Sequence, residues 1–335
     1  MPDTSVQTAR AFWVTGPGKS EIREAPVGPG GDSCANMVEV QTLYSAISRG
    51  TESLVFRNRV PESEYDRMRA PFQVGEFPYP VCYGYANVGR VVSGPDHLRG
   101  RMVFCLFPHQ TRYRVPVDAV IPVPPGVPVE RAILAANMET AINGLWDADP
   151  RLGDKVAVVG CGVVGALMAY LANRIPGVQV TAIDKDPDRR ALLEGLGTGF
   201  ATATADDDFD LVIHASGHPE GLRVALSLAG QEARIVEMSW FGDREASLPL
   251  GRGFHVRRLT LRSSQVGGIN PSQLPRWNYR RRLALALSLL DDPALDALIS
   301  GESRFEELPA TMARVSQGGN GELCHRVVYS PDDDS

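Results

Sequence analysis

No two of the five cysteines (Cys34, Cys82, Cys105, Cys161 and Cys324) form a CxxC pair. That scatter excludes a four-cysteine zinc lobe and a disulfide framework, so buried free thiols in a reducing compartment are expected. The roughly 20 consecutive apolar residues of a membrane-spanning helix are missing. LALALSLL, at 283–290, is too short and follows three arginines. The opening MPDTSVQTAR lacks the apolar core of a secretory signal, so a cytoplasmic protein is expected. A basic excess is also absent. Lys and Arg number 34 against 40 Asp and Glu, a net charge of -6, and nucleic acid is not an expected partner. There is no internal repeat and no long low-complexity segment.

What is present changes character along the chain. From residue 10 to about 120, short β-rich runs such as MVEVQTLYSAIS, ANVGRVVSG and TRYRVPV alternate with glycine and proline turns. Strands at that spacing predict a compact, largely antiparallel barrel. VIPVPPGVPVE, at 120–130, reads as a stiff connection between domains. Beyond it the pattern becomes strand, helix, strand, helix: KVAVVG, a helix over 163–174, VQVTAID, PDRRALLEGL, DLVIHASG, LRVALSLA, ARIVEMSW and LTLRSSQVG. Apolar strands alternating with helices predict a parallel sheet covered on both faces. YRRRLALALSLL predicts a long helix whose run Arg280–Arg282 is exposed, and ELCHRVVYS returns to strand. The expected organisation is a first domain over 1–125, completed by about 292–335, and a second over 126–291.

KVAVVG runs into GCGVVG, so Gly160, Gly162 and Gly165 match the dinucleotide fingerprint, with Val163 and Val164 opening the helix. The first glycine permits a tight turn, the second lets backbone approach a pyrophosphate, and the third lets helix pack on strand. Asp184 ends the next strand, where a carboxylate accepts from an adenosine ribose and repels the extra phosphate of NADP. Lys185 beside it softens that charge. NAD(H) is the expected cofactor; the alternative is that Asp184 merely caps the helix from Pro187.

VTGPGKSEIREAPV, AISRGTES, YGYANVGRVV, KVAVVGCGVVG, AIDKDPDR and HASG occur in that order. The series resembles the medium-chain dehydrogenase/reductase superfamily over nearly the whole chain. SRGTES and SSQVGG look most like its zinc-lacking branch, which includes the bacteriochlorophyllide dehydrogenases. The resemblance implies an α/β protein: a β-rich GroES-like barrel and a Rossmann domain with a doubly wound parallel sheet, assembled as a homodimer. Zinc members bind the metal through a cysteine, a histidine and a third cysteine or acid. Those positions fall on Ser48, in a stretch one residue longer, on Tyr85, and near Glu139 of NMETA. The acid after the histidine falls on Ala86. Serine and tyrosine are poor zinc donors, so no metal is expected; Cys105 and His109, four apart, make at most a two-ligand site. The resemblance also carries Arg189 toward the ribose. Ser216, Gly217, Ser264, Val266 and Asn143 fall on the nicotinamide side.

Without a metal, hydride transfer still needs a group that exchanges the hydroxyl proton. Tyr85 is the positional candidate, with a depressed pKa as its requirement; the alternative is that it only fills a vacated pocket. Glu139 is a candidate base or orienting group, or else a helix N-terminal carboxylate. Thr51 matches the family's relay hydroxyl, Ser48 is its substitute, and His109 is either a proton exchanger or a solvated loop histidine. Arg57, Arg59, Arg67 and Arg69 suggest an anionic substrate, whereas interleaved Glu62, Glu64 and Asp66 suggest a self-paired loop. The expected function is zinc-independent, NAD(H)-dependent oxidoreduction of a secondary alcohol or ketone. A quinone or enoyl reductase using NADPH, and a catalytically silent NAD(H)-binding protein, are the alternatives.

Overall fold

The computed structural model describes residues 8–28, 36–318 and 321–330. The first strands are β1 (Thr8–Gly16), β2 (Lys19–Pro26), β3 (Met37–Ile47), β4 (Val74–Gly75), β5 (Val81–Cys82) and β6 (Asn87–Ser93). Next come β7 (Met102–Cys105), β8 (Arg112–Pro116), β9 (Val120–Pro122), β10 (Lys155–Val159), β11 (Gln179–Ile183) and β12 (Gly199–Ala201). The last are β13 (Phe209–His214), β14 (Ala229–Glu237), β15 (Thr260–Ser263), β16 (Ile299–Arg304) and β17 (Cys324–Val328). The α-helices are α1 (Arg49–Phe56), α2 (Ala135–Ala148), α3 (Val163–Ala172), α4 (Arg190–Gly195), α5 (Pro219–Leu228), α6 (Tyr279–Ser288) and α7 (Leu308–Gln317). None is long and apolar enough among the described residues to cross a membrane.

The chain forms two compact units. The first comprises Met1–Ala136, Leu283–Asp292 and Ile299–Ser335; the second comprises Asn137–Arg282 and Pro293–Leu298. The first unit holds the β-rich, GroES-like architecture. Its sheets run β2-β1-β5-β4 and β16-β17-β3-β6-β7-β9, with β8 also paired to β3. All these pairs are antiparallel except β16 with β17. Val38, Val40, Val91, Val103, Tyr113 and Val115 build one core from residues of several strands. The tail does return to this unit, since β17 pairs with β3 from His325↔Ile47 to Val328↔Tyr44. β16 escaped the sequence reading because ISGESR is a short edge strand with only alternate residues half-buried.

The proline-rich stretch is less of a connection than its composition suggests. Residues 126–136 fall within the first unit, where Ala132, Ile133 and Leu134 are fully buried. The Arg131 guanidinium donates to the Leu290 carbonyl at 3.0 Å. Prolines shape this segment, and apolar burial holds it.

In the second unit, six parallel strands lie in the order β12-β11-β10-β13-β14-β15. This is the Rossmann order, which reverses direction between β10 and β13 and leaves a crevice at their carboxyl ends. The apolar run KVAVV is buried in all but its first residue because helices must cover both faces of such a sheet.

Close backbone approach constrains the first unit at Gly89, opposite Thr42 in the β3–β6 pair. A Cβ there would lie 2.3 Å from the Gln41 carbonyl oxygen. Gly89→Ala is therefore expected to destabilise the protein by about 1–3 kcal/mol. Urea unfolding would measure this, and an unchanged midpoint would contradict it.

Candidate active site

The glycine-rich turn stands where the parallel sheet reverses order. Gly160 has φ +94°, and a Cβ on it would lie 2.4 Å from the Ser216 backbone nitrogen. A Cβ on Gly165 would lie 1.9 Å from the Gly160 carbonyl oxygen. Both positions accept glycine alone, for reasons of turn geometry and helix–strand contact. Gly162 caps α3, whose first residues Val163 and Val164 are half-buried. Asp184 follows β11. One of its oxygens accepts from Cys161 N at 2.7 Å and the other from Asp186 N at 3.0 Å. The cap ahead of Pro187 comes from Asp186, which accepts from Asp188 N. Arg189 pairs with Asp186 at 3.4 Å, and Lys185 is exposed.

Ser216 and Gly217 form the turn after β13. Ser216 is exposed, and its hydroxyl lies 2.6 Å from His214 Nε2. His214 Nδ1 lies 2.6 Å from Glu237 Oε2, at the end of β14. With Glu237 ionised, Nδ1 carries the proton and the Ser216 hydroxyl donates to Nε2. Gly217 N donates to Ser239 Oγ, and Arg244 donates to the Gly217 carbonyl at 2.8 Å. His214 and Glu237 lay outside the sequence-based site because nothing local pairs them across 23 positions.

The same unit corrects the expected exposure of the Arg280–Arg282 run at one position: Arg280 and Arg281 are exposed, and Arg282 is buried. Arg282 is only 1% exposed. It donates from Nε to Glu139 Oε1 at 3.0 Å, from Nη1 to Asn143 Oδ1 at 2.6 Å, and from Nη2 to the Val266 carbonyl at 2.6 Å. Burial pushes the Glu139 carboxyl up, and the Arg282 charge pulls it back only in part. Asn143 is fully buried, and its amide nitrogen reaches Asp147, Ser264 and the Gln265 carbonyl. Ser264 donates to Asp147 at 2.6 Å. Glu139, Asn143, Ser264 and Val266 thus meet around one buried arginine.

In the first unit, Tyr85 is half-buried and donates to Ser48 Oγ at 2.6 Å; Thr51 also hydrogen-bonds its phenol. Burial, then the Glu52 carboxylate, pushes the phenol up to about 12 against the pull of Ser48 and Thr51. The depressed pKa expected for Tyr85 is not found; in this environment it is a neutral donor. His109 corrects the solvated-loop alternative, being 1% exposed. Gly84, at φ +140°, leaves room for it, since a Cβ there would lie 3.0 Å from His109 Cδ2. His109 Nε2 meets Glu52 Oε2 at 2.9 Å, and Nδ1 meets Ser45 Oγ at 2.7 Å, which in turn meets Tyr329 Oη at 2.9 Å. The other Glu52 oxygen accepts from Ser48 N at 2.7 Å. Glu52 was missed although it stands in SRGTES; its partner is 57 residues away.

Beside these groups, the arginine-rich loop is mostly solvated. Arg57, Arg59, Arg67 and Arg69 are exposed, and Arg67 pairs with Glu64 at 3.5 Å. Cys82, Cys105, Cys161 and Cys324 are buried and free, while Cys34 lies outside the described residues. Among the described residues no group of three or more His, Cys, Asp or Glu side chains could hold a metal ion. Ser48 and Tyr85, on which the resemblance placed two of the zinc positions, are bonded to each other. This donor set does not fit zinc, which takes thiolate, imidazole or carboxylate ligands.

No family model matches the chain. A D-guloside 3-dehydrogenase of Escherichia coli K12 is 24% identical over 306 residues, covering 82% of this chain and 84% of that protein. L-idonate 5-dehydrogenase from Escherichia coli superposes with a TM-score of 0.76 at 16% identity, over 96% of this chain and 98% of that one. Acetophenone reductase from Geotrichum candidum, in complex with NAD, gives 0.76 at 16% identity over 96% and 97%. Other neighbours of the same fold were crystallised with NADP or NADH. At these identities the structural likeness carries the fold, a GroES-like unit with a Rossmann unit.

Removing one partner of a buried ion pair strands the other charge. Arg282→Met is expected to cost about 3–5 kcal/mol of stability, and adding Glu139→Leu should recover much of it. Denaturant unfolding of the single and double variants would check this; a double variant no better than the single one would contradict it.

Proposed function

We propose that this chain is an NAD(H)-dependent oxidoreductase of secondary alcohols and ketones that works without zinc. The observation that carries the reading is a neutral, half-buried Tyr85 phenol bonded to Ser48, at a position where the superfamily it resembles places a metal ligand. The glycine turn at the sheet's reversal point and Asp184 support a nicotinamide dinucleotide, bound at the α3 N-terminus with its ribose toward Asp184. Both Asp184 oxygens already accept backbone protons, which fixes the carboxylate where a 2′-phosphate would meet its charge. That favours NAD(H) over NADP(H) and speaks against the NADPH-using quinone or enoyl reductase. The exposed Ser216 hydroxyl and the 264–266 loop would border the nicotinamide.

When bound, the nicotinamide supplies or accepts the hydride. The chain's own part is the proton. In ketone reduction, the Tyr85 O–H turns from Ser48 to the carbonyl oxygen and then gives up its proton, while the Ser48 and Thr51 hydroxyls donate to the phenolate left behind. A pKa near 12 suits a donor, since an alkoxide is the stronger base. Glu139, held by Arg282, serves as a positioning carboxylate. The proposal includes a cytoplasmic homodimer, with a small alcohol or ketone as substrate. Arg57 and Arg59 are the candidates for an anionic group on it.

A panel of ketones with NADH or NADPH tests the reading. NADH is expected to be preferred, and equal use of NADPH would contradict the role of Asp184. Tyr85→Phe should lower kcat on the order of 100-fold with little change in cofactor affinity; unaffected turnover removes tyrosine from the mechanism. Dialysis against a chelator should leave activity intact and no stoichiometric zinc by elemental analysis. NADH binding without turnover on any substrate would point to the silent binding protein.

A further inference from the structure

Glu52 belongs to neither the fingerprint nor the carried-over site, yet its carboxylate touches the machinery around Tyr85 on two sides. It is only 3% exposed. One oxygen accepts from the backbone N–H of Ser48, and the Ser48 hydroxyl is the group that receives the Tyr85 proton donor. The other oxygen meets His109, which is 1% exposed and held from behind by Ser45 and Tyr329. With Glu52 ionised, His109 Nε2–H donates to it and Nδ1 accepts from Ser45. Tyr329 then donates to Ser45, and each donor in the chain has an acceptor. Gly84, the residue before Tyr85, admits the histidine ring to this place.

We infer that Glu52 is a positioning residue: clamped between Ser48 and His109, its buried charge one serine away from Tyr85 keeps that phenol in its proton-donating form. This rests on the reading of Tyr85 as the proton donor. A negative charge in a poorly solvated site opposes a second negative charge nearby. The groups around Tyr85 point the same way. From α1 it faces Glu52, Ser48 and Thr51, and beside it lies the buried Tyr83 phenol, itself pushed upward by burial, Tyr85 and Glu52. Across the cluster stand His109, whose ring is committed to Glu52 and Ser45, and Cys324 of β17, a buried thiol raised by burial. Arg49, the cation at the start of α1, donates to the Glu322 carbonyl. Glu52 therefore adds its charge to the effect of burial in holding Tyr85 as a phenol, without touching the substrate.

The test is a titration of the nine tyrosines by NMR with 13C at the ring Cζ, the Tyr85 signal being assigned by its loss in Tyr85→Phe. Wild-type Tyr85 is expected to remain a phenol through pH 11. Glu52→Gln keeps the shape and removes the charge, and should lower the midpoint by roughly one pH unit. Glu52→Asp, which keeps the charge, should leave it near the wild-type value. A wild-type midpoint at or below 10, or a Glu52→Gln midpoint that does not move, overturns the inference. A low wild-type midpoint overturns the inference even if Glu52→Gln does not fold. The titration needs no substrate, whereas failure of the Tyr85 reading itself would appear as unimpaired turnover in Tyr85→Phe.

Discussion

A carboxylate taken out of water must be met by donors, and two such carboxylates organise the polar interiors of the two units. The desolvation of each costs several kcal/mol before any partner is counted. In the second unit Glu139 is met by Arg282, whose remaining donors reach Asn143 and the Val266 carbonyl. One guanidinium thereby joins α2, α6 and the loop after β15. In the first unit Glu52 is met by the Ser48 N–H and by His109. His109 meets that carboxylate through one ring nitrogen, whereas Arg282 brings Glu139 a permanent, delocalised cation. On the inference drawn above, that difference suits the two sites: Arg282 ties three segments together, and the Glu52 charge acts on its neighbour Tyr85.

The sequence made legible what is local in the chain. GCGVVG and Asp184 stand within 25 positions of one another, and the turn that joins them imposes glycine at 160 and 165 by backbone contact alone. The alternation of apolar strands with helices was equally readable, because a parallel sheet buries both faces of every strand. The return of β17 to the first unit was foreshadowed by the strand character of ELCHRVVYS.

What stayed hidden is what long-range pairing creates. Arg282 reads as one more charge in an arginine run; only its partner 143 positions away turns it inward. His109 looks like a solvated loop residue until Glu52, Ser45 and Gly84 are brought around it. Glu237 and His214 sit on adjacent parallel strands whose pairing, His214 opposite Glu237, places acid beside imidazole. Each of these residues is polar and buried, so its position follows from a partner rather than from periodicity. The proline-rich stretch failed in the opposite direction. Its composition suggested a spacer, and the buried Ala132–Leu134 bind it into the first unit.

In the function proposed above, a phenol in place of a metal changes more than the identity of one ligand. A zinc ion stabilises an alkoxide through charge without moving a proton at the same instant, whereas a phenol stabilises it only by giving the proton up. The phenol must therefore be kept charged with its proton between turnovers, and burial beside an acid does so. The same environment makes the phenolate costly, so the hydroxyls of Ser48 and Thr51, which hydrogen-bond the phenol oxygen, have a second task once the proton has left. Reprotonation then restores the state that the Glu52 charge favours. On this reading the acid near Tyr85 returns the site to its donor form after each turnover, and the electrostatics around the former ligand position are as much a part of the substitution as the tyrosine itself.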